Sequence, residues 1–190
     1  HLSTDYVFDG TKGAPYDETD RPAPLMVYGA TKLAGEHLAL SEHDMTFVIR
    51  TTGLFGHKPC RAKPGGRNFV ENMLHLGQLK GEVSVVSDQF CCPTYTVDLA
   101  SQIRALVEDP PSPGVYHAVT PPGCSWFDFA RMVFELAGMP EVKVTPVSSS
   151  VFPSPVRRPA DSRLSTDRLE ALGNFRMRSL KEAIREYLAN

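Results

Sequence analysis

Apolar positions recur along this chain in two rhythms: short runs of β-forming residues, and longer stretches with the three-to-four-residue spacing of a helix face. Residues 2–8 (L-S-T-D-Y-V-F) are rich in β-formers and end at Asp9-Gly10, which predicts a strand with a turn behind it. Residues 11–24 carry Gly13, Pro15, Pro22 and Pro24 beside Asp17, Glu18 and Asp20, and read as a loop. From about residue 25 to 41, Met26, Ala30, Leu33, His37 and Leu40 fall on one helical stripe that should face the core, with Tyr28 and Lys32 off it. Gly29 and Gly35 each cost about 1 kcal/mol against Ala inside a helix. Close approach of another backbone or of a ligand would offset that cost. Residues 45–51 (M-T-F-V-I-R-T) form a more continuously apolar strand, as buried parallel strands do. Strand, helix and strand in this order make a βαβ unit, expected to cross over right-handed.

Farther on, a Pro/Gly/basic loop at residues 57–68 (Lys58, Arg61, Lys63, Arg67) leads to Asn68, a helix N-cap. The helix behind it sets Phe69, Met73, Leu76 and Leu79 on one side and stops at Gly81. Residues 82–90 return as a strand. A helix over residues 97–107 places Ala100, Ile103 and Val107 inward, and Pro110, Pro111 and Pro113 end it. Residues 114–119 are a short strand, and Ser125 with Asp128 resembles a capping box opening a helix over residues 126–137, closed by Gly138. Val142, Val144 and Pro146 suggest a minor strand. Ser165 and Ser179 read as N-caps of two terminal helices, the second with Glu182 completing a capping box.

The chain's 190 residues suffice for one ordinary domain or two small ones. With 22% charged residues and a formal net charge of -2 it has no strong field, so neither nucleic acid nor an anionic membrane is an expected partner. No apolar run reaches the roughly 18 to 20 residues that span a bilayer, and residues 1–5 lack the layout of a signal peptide, which makes the cytoplasm the default location. Cys60, Cys91, Cys92 and Cys124 form no C-x-x-C pair and read as free thiols, and no metal-ligand cluster is visible. The chain starts at His1, in a strand, without an initiator methionine, which suggests a piece of a longer protein.

Candidate chemistry centres on Tyr28 and Lys32, one helical turn apart on one face. A free phenol, with a pKa of about 10, exchanges protons poorly near neutrality unless a nearby cation favours its phenolate. A lysine one turn along can supply that cation, although any surface helix can carry such a pair by chance, so context decides. Ser3, Thr4 and Asp5 are unusually polar for a strand with only a structural role. The basic loop at residues 57–68 could meet a phosphate, or be merely solvated.

Four stretches supply the context: S-T-D-Y-V-F-D-G (residues 3–10), Y-G-A-T-K-L-A-G-E (28–36), D-Q-F-C-C-P-T-Y-T-V-D-L-A (88–100) and R-R-P-A-D-S-R-L-S-T (157–166). Together they resemble the extended short-chain dehydrogenase/reductases of the dTDP-4-dehydrorhamnose reductase type, over essentially the whole chain. The resemblance implies an α/β fold: the later part of a Rossmann-like parallel sheet (residues 1–55, with a helix and strand near 96–119), and an interleaved small substrate-binding lobe (56–95 and 120–190). It implies reduction of a nucleotide-linked 4-keto sugar by NADPH, or NADH, in dTDP-rhamnose biosynthesis. The family's catalytic Ser/Thr, Tyr and Lys fall on Thr4, Tyr28 and Lys32. Tyr28 would donate the proton, Thr4 would hydrogen-bond the ketone oxygen, and Lys32 would favour the phenolate and hold the nicotinamide ribose. Asp5 and Tyr6 would line the sugar site, with Asn68, Gln89 and Arg158 toward the nucleotide and Thr52 and Gly53 beside the cofactor.

The departures carry expectations too. No G-x-x-G-x-x-G turn for a dinucleotide pyrophosphate occurs here: Gly53 and Gly56 have the first spacing, but Pro59 holds the third place. The adenosine and pyrophosphate sites are therefore expected before His1, and these residues alone to be inactive. An open first strand would invite association, for instance as a homodimer. The family tends to have an aromatic residue where this chain has Gly53 and a glycine where it has Cys91, which leaves the particular sugar open. Two alternatives stay open as well: a non-catalytic regulatory subunit resembling the β subunit of methionine adenosyltransferase, and an NAD-dependent sugar epimerase sharing Tyr-x-x-x-Lys.

Overall fold

A computed structural model of the chain describes residues 1–59, 64–152 and 154–190. In chain order its elements are β1 (Leu2–Thr4), α1 (Val27–Glu42), β2 (Phe47–Thr51), β3 (Leu54–Phe55), α2 (Phe69–Lys80), β4 (Glu82–Val86), β5 (Phe90–Cys91) and β6 (Thr94–Tyr95). They continue with α3 (Thr96–Glu108), β7 (Gly114–His117), β8 (Cys124–Ser125), α4 (Trp126–Leu136), β9 (Lys143–Val147), α5 (Asp167–Glu170) and α6 (Leu180–Ala189). The proposed thiol at Cys60 and the basic positions Arg61 and Lys63 lie outside the described residues.

β2 is the middle strand of a parallel sheet ordered β1–β2–β7, with Thr4 opposite Thr51 and Phe47 opposite Gly114. This is the α/β sheet that the sequence predicts. Ile49, Leu99, Leu106, Tyr116, Ala118 and Leu169 form one buried cluster around it. The remaining strands pair in twos, β3 with β6 and β4 with β9 in parallel, β5 with β8 antiparallel. Two further clusters fill this second region: Phe55, Val70, Tyr95, Phe129 and Ile184 in one, and Met73, Val83, Phe134 and Val142 in the other.

Local chemistry fixes the boundaries. β1 stops at Thr4, short of the predicted residue 8, because the Thr4 hydroxyl accepts from the Tyr6 N–H and opens a 3-10 turn over Asp5–Val7. The predicted strand over residues 82–90 breaks at residues 87–89, where the Asp88 carboxylate accepts from the Ser149 N–H at 2.8 Å and the Ser148 hydroxyl at 2.8 Å. Asn68 and Ser179 both close full capping boxes, and Ser125 caps α4 through the Asp128 N–H. The cap of α5 is Thr166 rather than Ser165.

Two helices turn differently from their apolar stripes. α1 buries Gly29 and Glu36 and leaves Ala30, His37 and Leu40 exposed, because Glu36 forms an ion pair with Arg50 of β2 at 2.6 Å and accepts from the Ser3 hydroxyl of β1. α3 buries Asp98, Leu99, Gln102 and Leu106, while Ala100 and Val107 face solvent. Arg178 binds Asp98 at 2.5 Å and the Arg176 N–H donates to Gln102 at 2.6 Å, which holds the polar members of that face inside.

Candidate active site

The site begins where β1 and β2 end side by side. Past Thr4 the chain enters its 3-10 turn, and past Thr52 it turns through Gly53 at φ +58°, a left-handed conformation that favours glycine. A Cβ at Gly53 would lie 3.0 Å from the Pro93 Cα. Between these turns lies a cavity of about 350 Å³ with Thr4, Asp5, Tyr6, Thr51, Thr52 and Gly53 along its floor. It opens at the carboxyl ends of parallel strands, where α/β sheets place their ligands.

Tyr28 reaches the same cavity from the first turn of α1, 53% exposed, its ring edge-on to Tyr6 at 6.3 Å. Gly29 permits this approach: a Cβ there would fall on the Tyr6 carbonyl oxygen. The close backbone contact expected to offset a helix glycine is thus present. Lys32 follows one turn later, half-buried, outside the cavity lining and without a hydrogen bond among the described residues.

Asp5 is the buried carboxylate of the floor, accepting from the Thr4 hydroxyl at 3.1 Å and the Ser162 hydroxyl at 2.6 Å. Burial raises its pKa from 3.8 to about 6, against the opposing hydrogen bonds of Ser162, Thr52 and Thr4. Burial and the charge of Asp5 push Tyr6 up to about 12. The Thr51 hydroxyl is buried with no hydrogen-bond partner among the described residues, an orphan in the lining of the cavity that a bound group can satisfy.

The facing wall comes from the second region. β5 brings Phe90 and Cys91 with Gln89 just before them, α2 brings Phe69, α4 brings Trp126, and the segment ahead of α5 brings Arg158 and Ser162. Gln89 and Arg158 also line an adjoining groove of about 450 Å³ with Ser149, Phe152 and Val156. Asn68 is elsewhere: its side chain donates to the Gly56 carbonyl at 2.9 Å and the Tyr187 hydroxyl at 3.0 Å and accepts from the Glu71 N–H at 3.1 Å. Its hydrogen-bonding capacity is committed to capping α2, away from the cavity. Trp126, Phe69, Phe90, Thr51 and Ser162 are lining residues that sequence reasoning did not single out. Ser162 lay within R-R-P-A-D-S, whereas Trp126 and Phe69 begin helices and resemble ordinary core.

A hydroxyl, a carboxylate and a phenol gathered beyond two parallel strands, with the phenol one turn ahead of a lysine, define the class as the short-chain dehydrogenase/reductases. The whole chain, residues 1–190, matches the model of the RmlD substrate binding domain, and the chain belongs to that family. It is 43% identical over 189 residues to the spore coat polysaccharide biosynthesis protein SpsK of Bacillus subtilis, covering 99% of this chain and 62% of that protein. To a dTDP-4-dehydrorhamnose reductase of Sinorhizobium fredii it is 37% identical over 195 residues, covering 97% of this chain and 63% of the relative. The crystal structure of a dTDP-4-dehydrorhamnose reductase from Bacillus anthracis in complex with NADP superposes with a TM-score of 0.90 at 38% identity, over 100% of this chain and 64% of that one. The chain thus spans somewhat under two thirds of the length of these relatives.

Proposed function

We propose that the protein carrying this chain reduces the 4-keto group of a nucleotide-linked deoxysugar with NADPH. The observation that carries this reading is the convergence of Thr4 and Tyr28 on one cavity at the carboxyl ends of β1 and β2. The names of the relatives support the same substrate and cofactor.

Tyr28, Thr52 and Gly53, with Lys32 one turn behind Tyr28, would hold the nicotinamide end of the cofactor, since the Thr51 hydroxyl among them has no partner among the described residues and Gly53 presents no side chain. When bound, the cofactor supplies hydride to the ketone carbon. Negative charge then grows on the ketone oxygen. Tyr28 gives that oxygen a proton, and the Thr4 hydroxyl, which in this structure donates to Asp5, turns to donate to it. Lys32 holds the ribose and supplies positive charge one turn from the phenol. Asp5 accepts from sugar hydroxyls, and Arg158 offers its fork of donors to the diphosphate. Gln89 stands with Arg158 at the junction with the adjoining groove, which leaves that groove for the nucleoside.

The same reading assigns residues 1–55 and 96–119 to the dinucleotide-binding sheet and residues 56–95 and 120–190 to a substrate lobe. It also assigns the cytoplasm, where sugar nucleotides and reduced nicotinamides are metabolised. Among the described residues no helix is long and apolar enough to cross a membrane.

The test is NADPH oxidation with dTDP-4-dehydrorhamnose by the protein extended upstream to its relatives' length, beside its Tyr28→Phe variant. Turnover should fall by roughly 10²- to 10⁴-fold in the variant. A folded, nucleotide-binding protein with no turnover would favour a regulatory subunit instead.

A further inference from the structure

The cavity has two unlike walls. Its floor carries hydroxyls, one carboxylate and the phenol rings of Tyr6 and Tyr28, whereas the facing wall carries three rings without a hydroxyl, Phe69, Phe90 and Trp126. A pyranose ring is similarly divided, with hydroxyls around its rim and C–H bonds on its faces, so its orientation depends on which aromatic ring is free to meet a face.

Two of the rings are already engaged. Phe69 stacks on Phe129 at 5.1 Å and 14°, and the Arg163 guanidinium lies over Phe90 at 5.5 Å. Trp126 touches Phe69 and Phe129 only at a tilt, 4.8 Å at 44° and 6.3 Å at 46°, and stays partly exposed to the cavity. Its indole N–H makes no hydrogen bond among the described residues, although tryptophan N–H groups in partly enclosed sites usually find a partner. On the floor, Gly53 lends no side chain and the rings of Tyr6 and Tyr28 meet each other edge-on at 6.3 Å, which leaves the facing wall to offer a flat apolar surface.

The position of Trp126 is fixed. It is the first residue of α4, behind the Ser125 cap, and its backbone N–H donates to the Gln89 carbonyl at 3.3 Å. The β5–β8 ladder pairs Phe90 with Ser125 and Cys91 with Cys124. Gln89 and Trp126 are therefore held by one ladder.

We propose that Trp126 is the sugar platform of this pocket: its indole stacks on the apolar face of the hexose and turns its N–H to a ring hydroxyl, which presents the keto carbon to Thr4 and Tyr28. This rests on the reductase reading and adds the residue that selects the sugar, as distinct from the nucleotide. The ligand class is a nucleotide-linked hexose with an unobstructed C–H face.

Trp126 is the chain's single tryptophan, so its emission reports on this site alone. The experiment titrates the 190-residue chain with dTDP-rhamnose and with dTDP, following tryptophan fluorescence and calorimetry together, and repeats the calorimetry with Trp126→Phe and Trp126→Ala. dTDP-rhamnose should shift or quench the emission and dTDP should not. Trp126→Ala should weaken dTDP-rhamnose about tenfold and leave dTDP within about twofold, with Trp126→Phe, a ring without the N–H, between. Calorimetric binding of dTDP-rhamnose with unchanged emission would overturn the platform and leave the reductase reading standing. Equal loss of both ligands in Trp126→Phe would do the same. Failure of the unaltered chain to bind either ligand would overturn the platform as a property of these residues, and the reductase reading would then stand or fall on the turnover of the extended protein. Fluorescence of the unaltered chain keeps the proposal testable even if Trp126→Ala does not fold.

Discussion

At Asp5 and His117 burial acts on two ionisable groups in opposite senses. Asp5 is raised from 3.8 to about 6, so between those values the folded chain binds more protons than the unfolded one, and stability falls as pH rises. Above pH 6 its enclosure costs about 3 kcal/mol. His117 is lowered from 6.5 to about 3 by burial and by Arg50, so the unfolded chain binds more protons across that window and stability rises with pH. The two slopes oppose each other between about pH 4 and 6. Asp5→Asn should therefore make the denaturation midpoint climb with pH through this range, raise stability at pH 7 and weaken sugar binding, while His117→Asn should make the midpoint fall with pH. Urea melts at half-unit pH steps distinguish these outcomes from a flat response. The thiols follow the same physics: burial lifts Cys92 and Cys124 to about 12 and Cys91 well above its ordinary value. All three should resist iodoacetamide at pH 8 until the chain unfolds, read peptide by peptide by mass spectrometry. Types such as Ser-Thr-Asp and Tyr-x-x-x-Lys marked the candidate site in the sequence. The cap at Asn68 was legible too, but not that capping would use up its amide and keep it from the nucleotide, because a cap and a ligand donor are the same amide in different surroundings.

Among the elements, α1 shows how a polar contact can override an apolar stripe. Its stripe pointed to Met26, Ala30, Leu33, His37 and Leu40, but the face it buries runs through Gly29 and Glu36. The Glu36–Arg50 pair, at 2% and 4% side-chain exposure, ties the helix bearing Tyr28 to the strands that end at Thr4 and Thr51. Glu36→Ala should cost about 3–5 kcal/mol by leaving Arg50 charged and unpaired, and the double variant Glu36→Leu/Arg50→Met should recover much of it; chemical denaturation measures both. Gly29→Ala should cost about 1–3 kcal/mol by driving α1 off the Tyr6 carbonyl, with a matching loss of turnover in the extended protein. α3 carries a second case, since Leu99, Ile103 and Leu106 were as good a stripe as Ala100, Ile103 and Val107. Periodicity finds a helix, and its partners decide which way it turns.

Over the whole molecule, part of the exposed apolar surface lies on the first strand and first helix. β1 has β2 on one edge and, among the described residues, no strand on the other, and Leu2 (50%), Val27 (80%) and Leu38 (63%) stand exposed on β1 and α1. Such a surface favours association. The 190-residue chain should self-associate with rising concentration in light scattering, and Leu2→Lys with Leu38→Lys should reduce it; a monomer at every concentration would count against the homodimer expectation. The sequence by itself determined the α/β class, the helices, most caps, and the order of the chemistry-bearing stretches, because each depends on neighbours within a turn or a short run of residues. Only the tertiary structure decided which stretches meet. It joined Ser162 to Asp5 across 157 positions, tied Trp126 to Gln89 beside the β5–β8 ladder in the cavity that Thr4 also lines, and left Asn68 outside that cavity. Contacts of that range follow from strand pairing and burial over the whole chain, which no local pattern of residues encodes.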